Sequence, residues 1–175
     1  ELPKRGTEIR VLSFGTVRYL PKVIRHFVYF LKTLKRGIKS NVIFAQDPVS
    51  VGLPAILAAK ILHKKFILKV VGDYAWEQYQ QSFALLKFPI SNFQFPKKEK
   101  QTFITPDEFQ EKKFDFKTEL RRKIQRYVAK NSKCVIVPSN YLKNIVLKWE
   151  IGEEKIKVIY NAFEAPILKE TKEEL

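Results

Sequence analysis

The chain has 175 residues, 45% apolar and 13% aromatic, which suffices for one domain with a sizeable core and excludes a disordered polypeptide. A single cysteine, Cys134, excludes an internal disulfide and fits a reducing compartment. The net charge of +15 predicts attraction to polyanions (nucleic acid, anionic lipid or phosphorylated substrates) without choosing among them.

No stretch approaches the ~20 apolar residues that span a bilayer. Residues Glu1 to Gly6 are charged, with no apolar run behind them of the kind a secretory leader carries. The chain contains no methionine, and we read it as a piece of a longer protein.

Thr7 to Phe14 is the first candidate strand, ending in Ser13-Phe14-Gly15. Leu20, Val23, Ile24, Phe27, Leu31 and Leu34 then recur at helical spacing and close at Gly37. Arg18, Lys22, Arg25, Lys32, Lys35 and Arg36 surround that stripe. A basic amphipathic helix can lie on a membrane surface. The plainer reading, which we prefer, packs the stripe on a sheet and leaves a basic face in solvent.

Asn41 to Gln46 reads as a second strand, followed by Asp47-Pro48 and a helix from about Val51 to Leu62. Pro54 sits early in that helix, where a missing amide donor costs little. The β-branched and aromatic run from Phe66 to Val71 suits a parallel strand covered on both faces. Gly72 permits a sharp turn or the close approach of a ligand, and a helix follows from Tyr74 to about Leu86.

Residues 87–116 break this rhythm, with Pro89, Pro96 and Pro106 punctuating seven phenylalanines and Lys97, Lys98 and Lys100 among them. Such long insertions tend to be functional or disordered. A lipid-dipping loop, an acceptor groove and a small satellite core all fit this composition. Leu120, Ile124, Tyr127 and Val128 mark a helix from Lys117 to Lys130 with a basic outer face. Lys133 to Val137 is the fourth strand, in which Cys134 reads as a core thiol. Ser139 is a natural cap for a helix from Asn140 to Trp149, and Lys155 to Tyr160 is the fifth strand.

Strands alternating with helices imply an α/β fold, a Rossmann-like parallel sheet with right-handed crossovers. Neither G-x-x-x-x-G-K nor G-x-G-x-x-G occurs, which argues against a P-loop enzyme or a complete dinucleotide-binding domain. Polar residues close every strand: Ser13 and Gly15, Gln46 and Asp47, Gly72 and Asp73, Ser139 and Asn140, and Asn161. A crevice at the carboxyl ends of a doubly wound sheet needs such residues. Each is also at home in a plain role, Asp47 in a turn and Ser139 as a cap. Asp73 and Glu77 are four apart and share a helix face, where carboxylates can accept sugar hydroxyls or serve as a base. An acidic first turn is also ordinary dipole complementarity. Tyr74 and Trp76 offer rings for stacking on a sugar. His26 and His63 lie in helical patterns without ligand partners, so no metal site is expected.

Four segments taken together resemble the N-terminal domain of group 1 (family 4) glycosyltransferases. They are Asn41-Val42-Ile43-Phe44-Ala45-Gln46-Asp47-Pro48, Val70 to Glu77, Val135-Ile136-Val137-Pro138-Ser139-Asn140-Tyr141-Leu142-Lys143 and Glu154 to Asn161. The resemblance spans roughly Thr7 to Glu164. It implies one half of a GT-B architecture, two Rossmann-like domains facing across a cleft. The domain would cover residues 1–164, with an insertion at about 87–116, and residues 165–175 would begin a linker to a donor-binding domain after Leu175. The family's first strand and its glycine-rich turn would lie before residue 1.

The resemblance also implies a retaining transferase that moves a hexose from a UDP- or GDP-linked sugar to a glycan or lipid-linked acceptor. No metal or permanently bound cofactor is implied, and a cytoplasmic location fits, with peripheral attachment to the inner face of the membrane. Asp73 and Glu77 are then the catalytic candidates. Gln46, Asp47, Gly72, Tyr74, Trp76, Ser139, Asn140 and Asn161 would line the acceptor cleft. Arg18, Lys22, Arg25, Lys97, Lys98 and Lys100 are candidates for contact with an anionic membrane. Two departures stand out: Val71 precedes Gly72 where the family often has histidine, and Ala162 follows Asn161 in place of glycine. They keep alive a domain that has lost activity. The other alternative is a noncatalytic basic module for nucleic acid or anionic membrane, although no motif for reading RNA or DNA is present.

Overall fold

The computed structural model describes residues 6–87 and 104–161. Its frame is a four-stranded sheet of β1 (Val42–Ala45), β2 (Lys65–Lys69), β3 (Cys134–Val137) and β4 (Ile156–Val158). All neighbours are parallel and the spatial order is β1-β2-β3-β4. Six helices accompany it among the described residues: α1 (Lys22–Gly37), α2 (Gly52–Ile61), α3 (Tyr74–Lys87), α4 (Pro106–Glu111), α5 (Phe116–Lys130) and α6 (Asn140–Leu147). This is the Rossmann-like α/β fold expected from the alternation of strands and helices.

Strand order equal to chain order has a consequence for layering. Crossovers of one hand that always step in one direction deliver their helices to one face. Ile43, Ala45, Phe66, Leu68, Val135, Val137 and Ile156 are buried on that face, packed with residues of α2, α5 and α6. Trp149, just past α6, is wholly buried in the same core. The opposite face carries Val42 and Phe44, 42% and 48% exposed, and the half-buried Ile67, Cys134 and Ile136. The expectation of a third strand covered on both faces is therefore corrected, since among the described residues helices cover one face only. Cys134 accordingly lies on the open face and not in the core. The one-directional order also means that the described strands contain no switch point of the doubly wound kind.

Two further expectations change. Residues 7–13 form no strand, so the described sheet has four strands and not five. They run beside α1 instead, where the Tyr29 hydroxyl donates to the Leu12 carbonyl (3.1 Å) and the Arg36 guanidinium to that of Val11. The apolar stripe of α1 does not pack on the sheet: Val23 is 83% exposed and Phe27 60%. Tyr29, Thr33 and Gly37 form its buried side, against α2. Gly37 is needed there, since a Cβ would stand 2.7 Å from Leu62 Cδ1 and 3.1 Å from Ile43 Cδ1.

The described part of the insertion begins at Ile104. Thr105-Pro106-Asp107-Glu108 closes a capping box that starts α4. Phe109, fully buried, stacks on Phe114 at 4.6 Å, and Tyr79 meets Phe114 edge-on at 4.6 Å. The Arg122 guanidinium lies 5.1 Å from the Phe109 ring and binds Glu119 (2.7 Å) and the carbonyls of Gln110 and Lys112. For Phe109 and Phe114 the satellite-core reading is the one observed. Phe88, Phe93, Phe95 and Phe103 lie outside the described residues.

Candidate functional site

The carboxyl ends of β1 and β2 carry the densest group of sequence-singled residues. After β1 the chain turns at Asp47, whose Oδ1 accepts the amides of Val49 (2.6 Å) and Ser50 (2.7 Å). An aspartate that bonds the backbone two and three residues on builds such a turn itself. Gly52 then approaches so closely that a Cβ would stand 2.5 Å from the Asp47 carbonyl oxygen. Ser50 Oγ donates to the Tyr74 hydroxyl (3.2 Å) and ties this loop to the one after β2. Gln46 is exposed beside it.

After β2, Val70 is buried, Val71 is 60% exposed, and Gly72 leads into Asp73, only 4% exposed. Asp73 caps α3, with Oδ1 accepting the Trp76 amide (3.1 Å). The same carboxylate accepts the side-chain amides of Gln125 (3.0 Å) and Gln110 (2.7 Å). Gln125 is itself wholly buried and accepts the Ala75 amide through Oε1 (3.1 Å). Asp73 is thus a hub joining α3, α4 and α5, with its oxygens engaged by protein donors.

Glu77 behaves differently. It is exposed, and its carboxylate folds back over the glycine turn, where a Cβ on Gly72 would fall 1.9 Å from Oε1. Partial burial raises its pKa above the ordinary carboxylate value, and the negative charges of Asp73 and then Asp47 push the same way. Asp47, Asp73 and Glu77 therefore form one electrostatic group, of which Glu77 is the most exposed member.

Trp76 turns elsewhere: its indole N–H donates to the Ile104 carbonyl (2.7 Å), bracing α3 on the approach to α4. At the other half of the sheet, Ser139 Oγ accepts the Leu142 amide (3.2 Å) and caps α6. Asn140 donates to the Tyr160 hydroxyl (3.2 Å), and Lys69 Nζ donates to Asn161 Oδ1 (3.2 Å). Lys69, Gln110, Gln125 and Tyr160 were not singled out from sequence. Lys69 had a visible signal, a charge ending an apolar strand, whereas nothing in the pattern of α5 marks Gln125 as a buried partner of Asp73.

Of the membrane candidates, Arg18 and Lys22 are exposed and Arg25 is half-buried. Lys97, Lys98 and Lys100 lie outside the described residues. Among the described residues no three His, Cys, Asp or Glu side chains gather as a metal ion would need, and no helix is long and apolar enough to cross a membrane.

The sequence model of a family described as Glycosyltransferase Family 4 matches residues 1–165. The chain belongs to glycosyltransferase family 4. No curated protein and no solved structure matches it. Membership agrees with the four segments that resemble the N-terminal domain of these enzymes, and with the parallel α/β sheet of a GT-B half. Within this family 4 domain, the group around Glu77 stands at the carboxyl ends of the strands, where open α/β sheets receive ligands.

Proposed function

We propose that this family 4 domain is the acceptor side of a retaining hexosyltransferase that uses a UDP- or GDP-linked sugar and a glycan or lipid-linked acceptor. The observation that carries the reading is Glu77, an exposed carboxylate of raised pKa at the mouth of the β2–α3 turn. In this reading Glu77 accepts the hydrogen bond of the acceptor hydroxyl and takes its proton. The hydroxyl oxygen bonds to the anomeric carbon on the face from which the phosphate leaves, so configuration is retained, and the sugar–phosphate bond breaks to release the nucleoside diphosphate. Asp73 is a positioning residue, holding the turn and α3 so that Glu77 is presented. Gln46, Tyr74, Asn140 and Asn161 offer further polar contacts to an acceptor, and the donor binds chiefly on the facing domain of the GT-B pair.

The test is transfer by the intact enzyme from UDP- and GDP-hexoses, with the anomeric configuration of the product read by NMR. Glu77→Gln is expected to lower kcat by about 10²–10⁴-fold, the usual worth of a positioned acid–base group. Undiminished turnover by that variant would remove Glu77 from the chemistry.

A second reading concerns location. The outward apolar stripe of α1, with Arg18 and Lys22 at its start, has the composition of a surface that meets anionic lipid. Sedimentation of the intact enzyme with phosphatidylglycerol vesicles at low salt supports it, and indifference to them removes it. Salt-sensitive RNA binding without any turnover would favour the noncatalytic module instead.

A further inference from the structure

The end of the sheet opposite Glu77 holds the other concentration of charge. A depression of about 690 Å³ opens there, at the amino ends of β2, β3 and β4 and the last turns of α2 and α5. Lys60, Lys64, Lys65, Lys130, Lys133 and Lys155 line it, against one carboxylate in the lining, Glu154. Ile56 and Phe66, each 2% exposed, are the core residues beneath it. The depression is broadly open to solvent and is not an enclosed cavity.

Lysines at helix ends are commonly there to answer the carbonyls and the negative dipole end. Three of the six are accounted for locally. Lys60 Nζ donates to the Tyr127 hydroxyl (3.0 Å) and Asn131 Oδ1 (2.6 Å), and Lys155 Nζ to the Lys130 carbonyl (3.0 Å). Lys130 pairs with Glu150 at 2.7 Å. Lys64, Lys65 and Lys133 have no such side-chain partner among the described residues. The main chain brings them together: the Lys133 amide bonds the Phe66 carbonyl (2.8 Å), setting the starts of β2 and β3 side by side.

The turn that delivers Lys64 and Lys65 is itself unusual. His63 has φ of 51°, in the left-handed region, and the Lys64 amide bonds back to the Ala59 carbonyl (2.9 Å). Glycine is the usual residue at this position of a helix end. Six lysines against one carboxylate make this lining strongly positive, and a multivalent anion is attracted to such a surface.

We propose that this depression binds a phosphorylated ligand, its phosphate held by Lys64 and Lys133 with the other lining lysines around them. The ammonium groups act as point charges on a phosphate dianion. The same chemistry is offered by a free phosphorylated small molecule and by a lipid headgroup. The site does not depend on the transferase reading, since it lies at the opposite end of the strands from Glu77.

The experiment titrates the protein with inorganic pyrophosphate by calorimetry, and separately with phosphatidylcholine vesicles with and without phosphatidic acid. Lys64→Ala/Lys133→Ala is compared with Lys39→Ala/Lys113→Ala, which removes the same charge from exposed positions outside the depression. The first variant is expected to weaken binding by about tenfold or more, a loss of ~1.4 kcal/mol, while the control changes it by less than about twofold. Such a loss with pyrophosphate identifies a free ligand, and a loss confined to phosphatidic acid vesicles identifies a headgroup. Equal losses in both variants would show attraction by net charge alone and overturn the proposal, as would no binding of either probe. Thermal unfolding of both variants without ligand checks that each remains folded.

Discussion

Asp73 and Glu77 share one helix face and one charge, yet their surroundings give them opposite tasks. Asp73 is buried and engaged by the Trp76 amide and two glutamine amides. Asp73→Ala removes an N-cap and leaves buried donors unpaired, so we expect a loss of about 2–4 kcal/mol in urea unfolding. Glu77 has a raised pKa, so the folded state holds its proton more tightly than the unfolded state does. Its contribution to stability is present below the unfolded pKa and is lost as pH rises through the folded one. Glu77→Gln is therefore expected to melt at an equal or higher temperature than the parent at pH 7. In the proposed base role the dependence is the reverse, and turnover is expected to climb with pH through a pKa above the ordinary glutamate value. A pH–rate profile whose acidic limb ignores Glu77→Gln would contradict this.

At the scale of elements, the insertion gives a sharp test. Thr105 caps α4 and stands next to Ile104, whose carbonyl receives the Trp76 indole N–H. Thr105→Ala is expected to cost about 1 kcal/mol and to change Trp76 fluorescence, since the partner of the indole shifts with the cap. Trp149→Ala empties the core beneath α6 and should cost about 3–5 kcal/mol. The helices were legible in sequence because their apolar spacing and caps are local: Ser139 sits where its cap was expected, and α1 ends at Gly37 as read. The strand read over residues 7–14 does not form, because an apolar and β-branched run makes a strand only when a neighbour supplies its hydrogen bonds. The box at Thr105 and Glu108 was plain in the sequence but was passed over among the prolines. Asp73 was legible as a polar strand end, but its burial depends on Gln110 and Gln125, far along the chain, which no local pattern reveals.

For the whole molecule, charge and exposed apolar area act against each other. The net charge of +15 disfavours self-association. The outer edge of β1 has no described strand beside it, Val42 and Phe44 on that strand are exposed, and so is the apolar stripe of α1. Edges of this kind are templates for further pairing. The chain on its own should bind a hydrophobic dye and associate more as salt screens its charge. Phe44→Lys, a charge on the edge strand, is expected to reduce both while changing stability by less than about 1 kcal/mol. Unchanged association in light scattering would move the sticky surface elsewhere.

The order β1-β2-β3-β4 also bears on how the chain reaches its fold. Each strand pairs with the strand made just before it, so the sheet can grow in the direction of synthesis. The steps are unequal in length. β1, α2 and β2 form a compact local unit, and so do β3, α6 and β4, but the join between them sets Ile67 beside Cys134. Everything from α3 to α5 must be drawn into that single closure, and non-local pairings of this sort are the slow ones. The Asp73 hub, which gathers α3, α4 and α5, shortens the effective loop before the two halves of the sheet meet, so its loss should slow folding as well as lower stability.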